Sequence, residues 1–410
     1  MRAEQPEVVT VGGSGIVPTV GLTNPWCHSD PGQVTRVTGS ERRSNSEDSG
    51  LRARLEPAGW SHDPPLFVYC RPMQRSLAVL AGATLAVAVF GVAPSAQAPT
   101  PMAAAARAAE AARTYNPPKT PWGHPDLQGS YTTTDENGVP IERPDTLPAS
   151  EGVSEAEFQK IVRERTERAR ASAGRIGGAE TGAGPSHWYE HLDAKNSQLW
   201  LISDPASGKM PAMTPEGQKR RAAVAAARVP EPKVFADFTL YDRCITRGLI
   251  GSMLPVIYGN SAEIVQGPDF VAIRNEMIHE TRVIPLANVP RPSPAVKSLM
   301  GVSRGRWEGN VLVVETTNFT DRTAIGVNGN GIPNSDALKL TERFIPVNGN
   351  HVRWEVTVDD PKMFTRPWTF GLPLTKDAGQ PVFEYACHEG NYAVRNMLTG
   401  AAAEAAAARK

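Results

Sequence analysis

The sequence has no G-x-G-x-x-G, no P-loop, no G-x-S-x-G and no paired C-x-x-C. These absences remove the usual sequence grounds for a dinucleotide fold, a phosphate-cradling loop or an α/β-hydrolase. It also lacks net charge. Lys+Arg and Asp+Glu stand at 43 each, so no global field recruits nucleic acid or an anionic membrane surface. Cysteine is scarce, with four residues in all. The 7% aromatic and 40% hydrophobic content is that of an ordinary soluble protein.

What is present begins at Met73. A short basic start, Met73-Gln-Arg-Ser, leads into an apolar run from Leu77 to Val92 and then Ala93-Pro-Ser-Ala-Gln-Ala98. Charged start, apolar centre and small-x-small end form the layout of a secretory signal peptide over 73–98. As an internal segment the same run, about 16 residues, is short for a membrane span. Residues 1–72 show neither helical nor strand periodicity, and the expectation is a misassigned start or a disordered extension. No Cys follows the cleavage site and Arg75 has no twin, so export as an unfolded, unanchored chain is expected, to the periplasm or beyond. The mature chain keeps Cys244 and Cys387. In an oxidising compartment a disulfide is the simplest expectation, with metal ligation and free thiols as the alternatives.

Residues 99–240 read as an extension with helices. Pro99 to Arg113 is Ala-rich, a spacer or frayed helix, and Asn116 to Gly129 is a Pro- and Gly-dense extended arm. Ser154 and Glu157 cap a helix running to Arg175. Thr214-Pro-Glu opens a second helix that ends near Arg228. The texture then changes. Over 241–390, segments near 262–266, 269–276, 278–286, 304–308, 311–318, 338–346, 351–360, 366–371 and 381–387 look like strands. His351-Val-Arg-Trp-Glu-Val-Thr-Val alternates cleanly, and Glu308-Gly-Asn310 and Asn348-Gly-Asn350 signal tight turns. The predicted fold is mainly β, an antiparallel up-and-down (lipocalin-like) barrel or strongly curved sheet, closed by an Ala-rich helix over 391–410.

Four constellations could carry chemistry. In Arg274-Asn-Glu-Met-Ile-His-Glu-Thr-Arg282, a regular strand puts Arg274, Glu276, Glu280 and Arg282 on one face and His279 on the other. Glu276 and His279 then meet only through a bulge or turn near Met277. The functional reading is a lumen of paired carboxylate and guanidinium that tunes Glu276 or His279 as acid or base. The plain alternative is a solvated charge ladder. In Glu384-Tyr-Ala-Cys-His-Glu-Gly-Asn-Tyr392, Cys387, His388 and Glu389 fall at the end of an element. There His388 and Glu389 are candidate acid–base groups beside a half-cystine. Asp359 to Trp368 offers Arg366 as an anion anchor and Trp368 as an apolar wall, against an ordinary Asp-Asp-Pro turn. Ser186-His-Trp-Tyr-Glu-His191 offers Trp188 and Tyr189 as the edge of a site.

Thr120-Pro-Trp-Gly-His-Pro-Asp-Leu-Gln-Gly129, Asn275-Glu-Met-Ile-His279, Arg304-Gly-Arg-Trp-Glu-Gly309 and Glu315-Thr-Thr-Asn-Phe319 share this part of the chain with two further motifs, Thr357-Val-Asp-Asp-Pro361 and Tyr385-Ala-Cys-His-Glu-Gly-Asn391. Together they resemble a large family of exported bacterial proteins, across most of residues 115–400. The resemblance implies Met73 as the natural start and carries over no catalytic residues. The functional expectation is therefore an exported barrel enzyme of lyase or isomerase type, acting by acid–base chemistry on a small, partly apolar molecule. Glu276, His279, His388 and Glu389 are its acids and bases; Arg274, Arg282, Arg366, Trp368, Trp188 and Tyr189 hold the substrate. A non-catalytic ligand-binding barrel and a structural envelope protein are the alternatives. No cofactor is expected, a divalent metal stays open, and neither nucleic acid nor a membrane span enters the reading. A deep lumen favours enzyme or binder, and a barrel packed solid with Leu and Val argues against both.

Overall fold

The computed structural model describes residues 100–148, 153–173, 190, 195–229, 232–286, 289–379, 381–407 and 409. The expectations for residues 1–98 and for Trp188 and Tyr189 lie outside these. Among the described residues, no helix is long and apolar enough to cross a membrane.

The fold is an antiparallel, nearly closed barrel-like sheet. Its strands in chain order are β1 (Gly129–Thr132), β2 (Ile202–Asp204), β3 (Ser261–Gln266), β4 (Phe270–Asn275), β5 (Thr281–Pro285), β6 (Val302–Glu308) and β7 (Val311–Thr317). A separate two-stranded hairpin pairs β8 (Ala324–Ile325) with β9 (Ile332–Pro333), and β10 (Lys339–Asn348), β11 (His351–Asp359) and β12 (Trp368–Lys376) complete the set. The large sheet runs β5-β4-β3-β1-β12-β11-β10-β7-β6, with β2 added against β12. Hairpins join β3 to β4, β4 to β5, β6 to β7 and β10 to β11, the last two at the turn signals Glu308-Gly-Asn310 and Asn348-Gly-Asn350. The edge strands β5 and β6 come close without a hydrogen-bonded ladder between them. A Cβ on Gly305 would stand 2.9 Å from the Ile284 side chain and 2.8 Å from that of Leu286, so glycine lets the two edges approach.

Alternation decides the interior. Register brings Leu340, Glu342 and Phe344 opposite Val358, Val356 and Trp354, and these opposite Trp368, Phe370 and Leu372. All belong to the buried interior, where Trp354 and Phe370 meet edge-on with ring centroids 5.7 Å apart. The interior is thus a packed core and not a lumen. Glu342 is fully buried within it and accepts from both terminal guanidinium nitrogens of Arg282 and from the Trp354 indole N–H at 3.0 Å.

Of the two alternatives for the Ala-rich start, spacer or frayed helix, the structure has a helix, α1 (Pro101–Thr114). Thr100 caps it, accepting the Ala103 N–H, and Ala108 packs on Val311, Val313 and Ile345 on the outer face of the sheet. Residues 129–132 leave the arm to become β1, which completes the wall between β3 and β12, so the extension and the barrel are not separate bodies. Helices α2 (Glu155–Ala173), α3 (Pro215–Ala226) and α4 (Tyr392–Ala407) fall near their predicted places. Thr214 caps α3 by accepting the Gly217 N–H at 2.9 Å. The segment 381–387 is not a strand. It runs as irregular chain with one bridge, Tyr385 to Met277.

Candidate functional site

The β4–β5 connection is a tight turn at the barrel's rim. Asn275 N–H donates to the Glu280 carbonyl and His279 N–H to that of Glu276, each at 3.0 Å. Ile278 and His279 take φ of 66° and 46°. Positive φ is uncommon outside glycine and asparagine and costly for a β-branched residue. Six non-glycine residues among those described have it. Three are asparagines; the others are Ile278, His279 and Cys244, all in this region. Each such residue costs on the order of 1–3 kcal/mol and needs surrounding structure to hold it, a pattern that clusters at functional sites.

The turn overturns the single-strand alternation expected for 274–282. Arg274 stands opposite Thr281, outside the barrel, with an ion pair to Glu263 at 3.1 Å and a bond to the Val382 carbonyl. Arg282 stands opposite Ile273 and points inward to Glu342. A carboxylate–guanidinium pair does occupy the interior, but its acid is Glu342 rather than Glu276. It sits among core side chains beside a cavity of ≈ 350 Å³ at the β5–β6 seam.

A second segment closes on this turn. The disulfide between Cys244 and Cys387, with Cα atoms 5.5 Å apart, ties residues 385–391 to the 241–247 loop. Asn391 Nδ2 adds a bond to the Asp242 carbonyl at 3.2 Å. The result is that the imidazoles of His279 and His388 lie 5.5 Å apart, centroid to centroid. His279 Nδ1 is 3.3 Å from the Tyr385 carbonyl and 4.0 Å from Glu384 Oε1. Two segments singled out separately in the sequence therefore meet.

Behind the imidazoles lies a half-buried polar network. Glu276 accepts the Ser261 N–H at 3.2 Å, and burial, with the Glu190 carboxylate nearby, pushes its carboxyl above the usual range. Glu190 accepts from Thr134 Oγ1 at 2.7 Å and Asn260 Nδ2 at 2.9 Å. The Tyr258 hydroxyl bonds those of Tyr241 and Tyr385, and the Tyr258–Tyr385 rings stand 6.0 Å apart. Burial and the Tyr258 hydroxyl push Tyr385 up to about 12, so it stays a neutral donor. Glu280 accepts Thr246 Oγ1 at 2.6 Å, and burial raises its carboxyl as well. Chemically this is a rim where two imidazoles stand beside a carboxyl that burial makes a weaker acid and a chain of hydrogen-bonded phenols.

The other predicted groups do not join it. Glu389 lies exposed past the disulfide, its N–H bonded to the Ala386 carbonyl. Arg366 is spent on a surface ion pair with Asp204 at 2.6 Å, and Trp368 is fully buried between Phe364 and Phe370, a core residue and not a wall. Among the described residues, no group of three or more His, Cys, Asp or Glu is arranged to hold a metal ion. The sequence reading missed Tyr241, Tyr258 and Arg247, and it quoted Glu190 within Ser186 to His191 without a role. The available signal was local: Arg247 sits in the glycine-dense stretch 247–260, where close backbone packing is expected. No protein-family model, no curated protein and no solved structure matches the chain.

Proposed function

We propose that the chain is an exported enzyme whose acid–base chemistry sits at the rim of a solid barrel. His279 and His388 act as the proton-transfer pair, one removing a proton from carbon and the other protonating the leaving or enolic oxygen. Glu276 shares protons with them, and Tyr258 and Tyr385 hydrogen-bond the oxygen on which charge develops. Such a set suits lyase or isomerase chemistry on a small, partly apolar hydroxy or oxo compound. The observation that supports it is the 5.5 Å approach of two imidazoles from distant segments, held by a disulfide and a strained turn. The signal-peptide layout at 73–98 and the family resemblance support export. The packed interior moves the reading away from a lumen.

Proton abstraction can be tested before a substrate is known. The full chain is incubated in D₂O with a panel of small hydroxy and oxo acids, ketones and aldehydes, and wash-in of deuterium is followed by NMR. The expected result is exchange with one class, abolished by His279→Ala and by His388→Ala. Binding without exchange would instead favour the ligand-binding reading, and exchange that survives both substitutions contradicts the assigned roles.

A further inference from the structure

Between the 239–248 loop, the end of α3 and the β8–β9 hairpin lies a cavity of ≈ 340 Å³. Four arginines line it: Arg228, Arg243, Arg247 and Arg322. One carboxylate does too, Asp321, but it is engaged by Arg220 at 3.0 Å. None of the four arginines has an ion-pair partner within 4.0 Å among the described residues. Arg247 is 1% exposed; its terminal nitrogens reach the Gly259 and Leu254 carbonyls, while Nε is buried without a partner. The Glu190 and Glu276 carboxylates act on Arg247 from the rim side, yet its Nε–H stays a free donor beside the three other guanidiniums of the cleft, which suits this wall to an anion.

The setting is built. A Cβ on Gly251 would stand 2.2 Å from the Arg247 carbonyl and 2.4 Å from Gly329 N, so glycine alone allows the two loops to clamp Arg247 backbone to backbone. Phe238 and Leu240 supply apolar wall beside the charges. Past Arg228 the groove continues into a second cavity next to Arg221. Cavity size, fixed positive charge and apolar wall together match a small organic anion better than an inorganic one.

We propose that this cleft is a binding site for a small organic anion, whose carboxylate or phosphate is held by Arg243, Arg247 and Arg322 and whose apolar part lies on Phe238 and Leu240. This goes beyond the acid–base reading, since the site would serve equally for substrate capture or for control.

Calorimetry on the full chain tests it, with benzoate, phenyl phosphate, inorganic phosphate and benzyl alcohol as probes. Benzoate or phenyl phosphate should bind one per chain with Kd below about 1 mM, and whichever is tighter tells carboxylate from phosphate. Inorganic phosphate and benzyl alcohol should bind at least about tenfold more weakly. Arg243→Gln and Arg322→Gln should each weaken the organic anion about tenfold, Arg243→Lys by less, and the surface change Arg366→Gln not at all. No saturable binding, equal binding of benzyl alcohol or phosphate, or affinity indifferent to Arg243 and Arg322 would overturn the proposal. Because heat and not turnover is read, the outcome is independent of whether His279 and His388 catalyse.

Discussion

Inside the barrel, Glu342 accepts from both terminal guanidinium nitrogens of Arg282 and from the Trp354 indole, among aromatic and aliphatic side chains. At the rim, Glu276 and His279 are half-buried and His388 and Tyr385 exposed, on a turn held in a costly conformation and cross-linked to a distant segment. Buried polar groups with every bond made specify a core; polar groups with capacity left over, at an edge, are available for a ligand. The same residue types thus do structural work in one region and are free for chemistry a few residues away in the chain.

The sharpest way to break that contrast is to attack the interior pair. Glu342→Ala leaves Arg282 buried without its carboxylate and should cost about 3–5 kcal/mol, read from the denaturant midpoint, whereas the double change Arg282→Met with Glu342→Leu should recover most of it. A small effect of Glu342→Ala would mean that the pair is solvated after all. Next, Cys244→Ser with Cys387→Ser opens a link spanning 143 residues and should cost about 2–4 kcal/mol. Hydrogen exchange should then accelerate at 241–247 and 385–391 while β10 to β12 stay protected; uniform acceleration would deny that the rim is a separable unit.

Glu136 lies between the two regions in kind. It accepts the Ser197 N–H at 2.8 Å through Oε1, its Oε2 has no partner, and burial pushes its carboxyl up to about 7. Below pH ~4.5 the carboxyl is protonated in both folded and unfolded chains. As pH rises toward about 7 the unfolded chain ionises first, so the folded state holds the extra proton and stability falls across that window. The loss is on the order of 3 kcal/mol. Glu136→Gln should flatten that part of the stability–pH curve; an unchanged slope would assign it elsewhere. The smallest effect concerns the rim itself. His388→Ala should alter stability by no more than about 0.5 kcal/mol while abolishing deuterium exchange, and a large loss of stability would make His388 a structural residue.

Much of the fold was legible because alternation and turn chemistry agree. The run from His351 alternates inward Val352, Trp354, Val356 and Val358, and the structure buries that face. β1 and β2 escaped notice because four and three residues are too few to show a period, and both are recruited by pairing with β12. The segment 381–387 looked like a strand from its residue types, yet it finds only one bridge and no ladder. At the site, His279 and His388 were legible as candidate acid–base residues. Their meeting was not, because it depends on which edge of the sheet the disulfide reaches. Arg282 and Trp368 were misassigned for the complementary reason: residue type suggested a ligand wall, and register placed both in the core.

Chemical-shift mapping of the full chain with a set of small hydroxy, oxo and acidic fragments tests the central claim most directly. Perturbed resonances should concentrate at Tyr258, Met277 to Glu280 and Tyr385 to His388, with acidic fragments adding Leu240 to Gly248. Perturbations centred on Val314, Val356 and Leu372 would place the ligand inside the barrel and contradict the account.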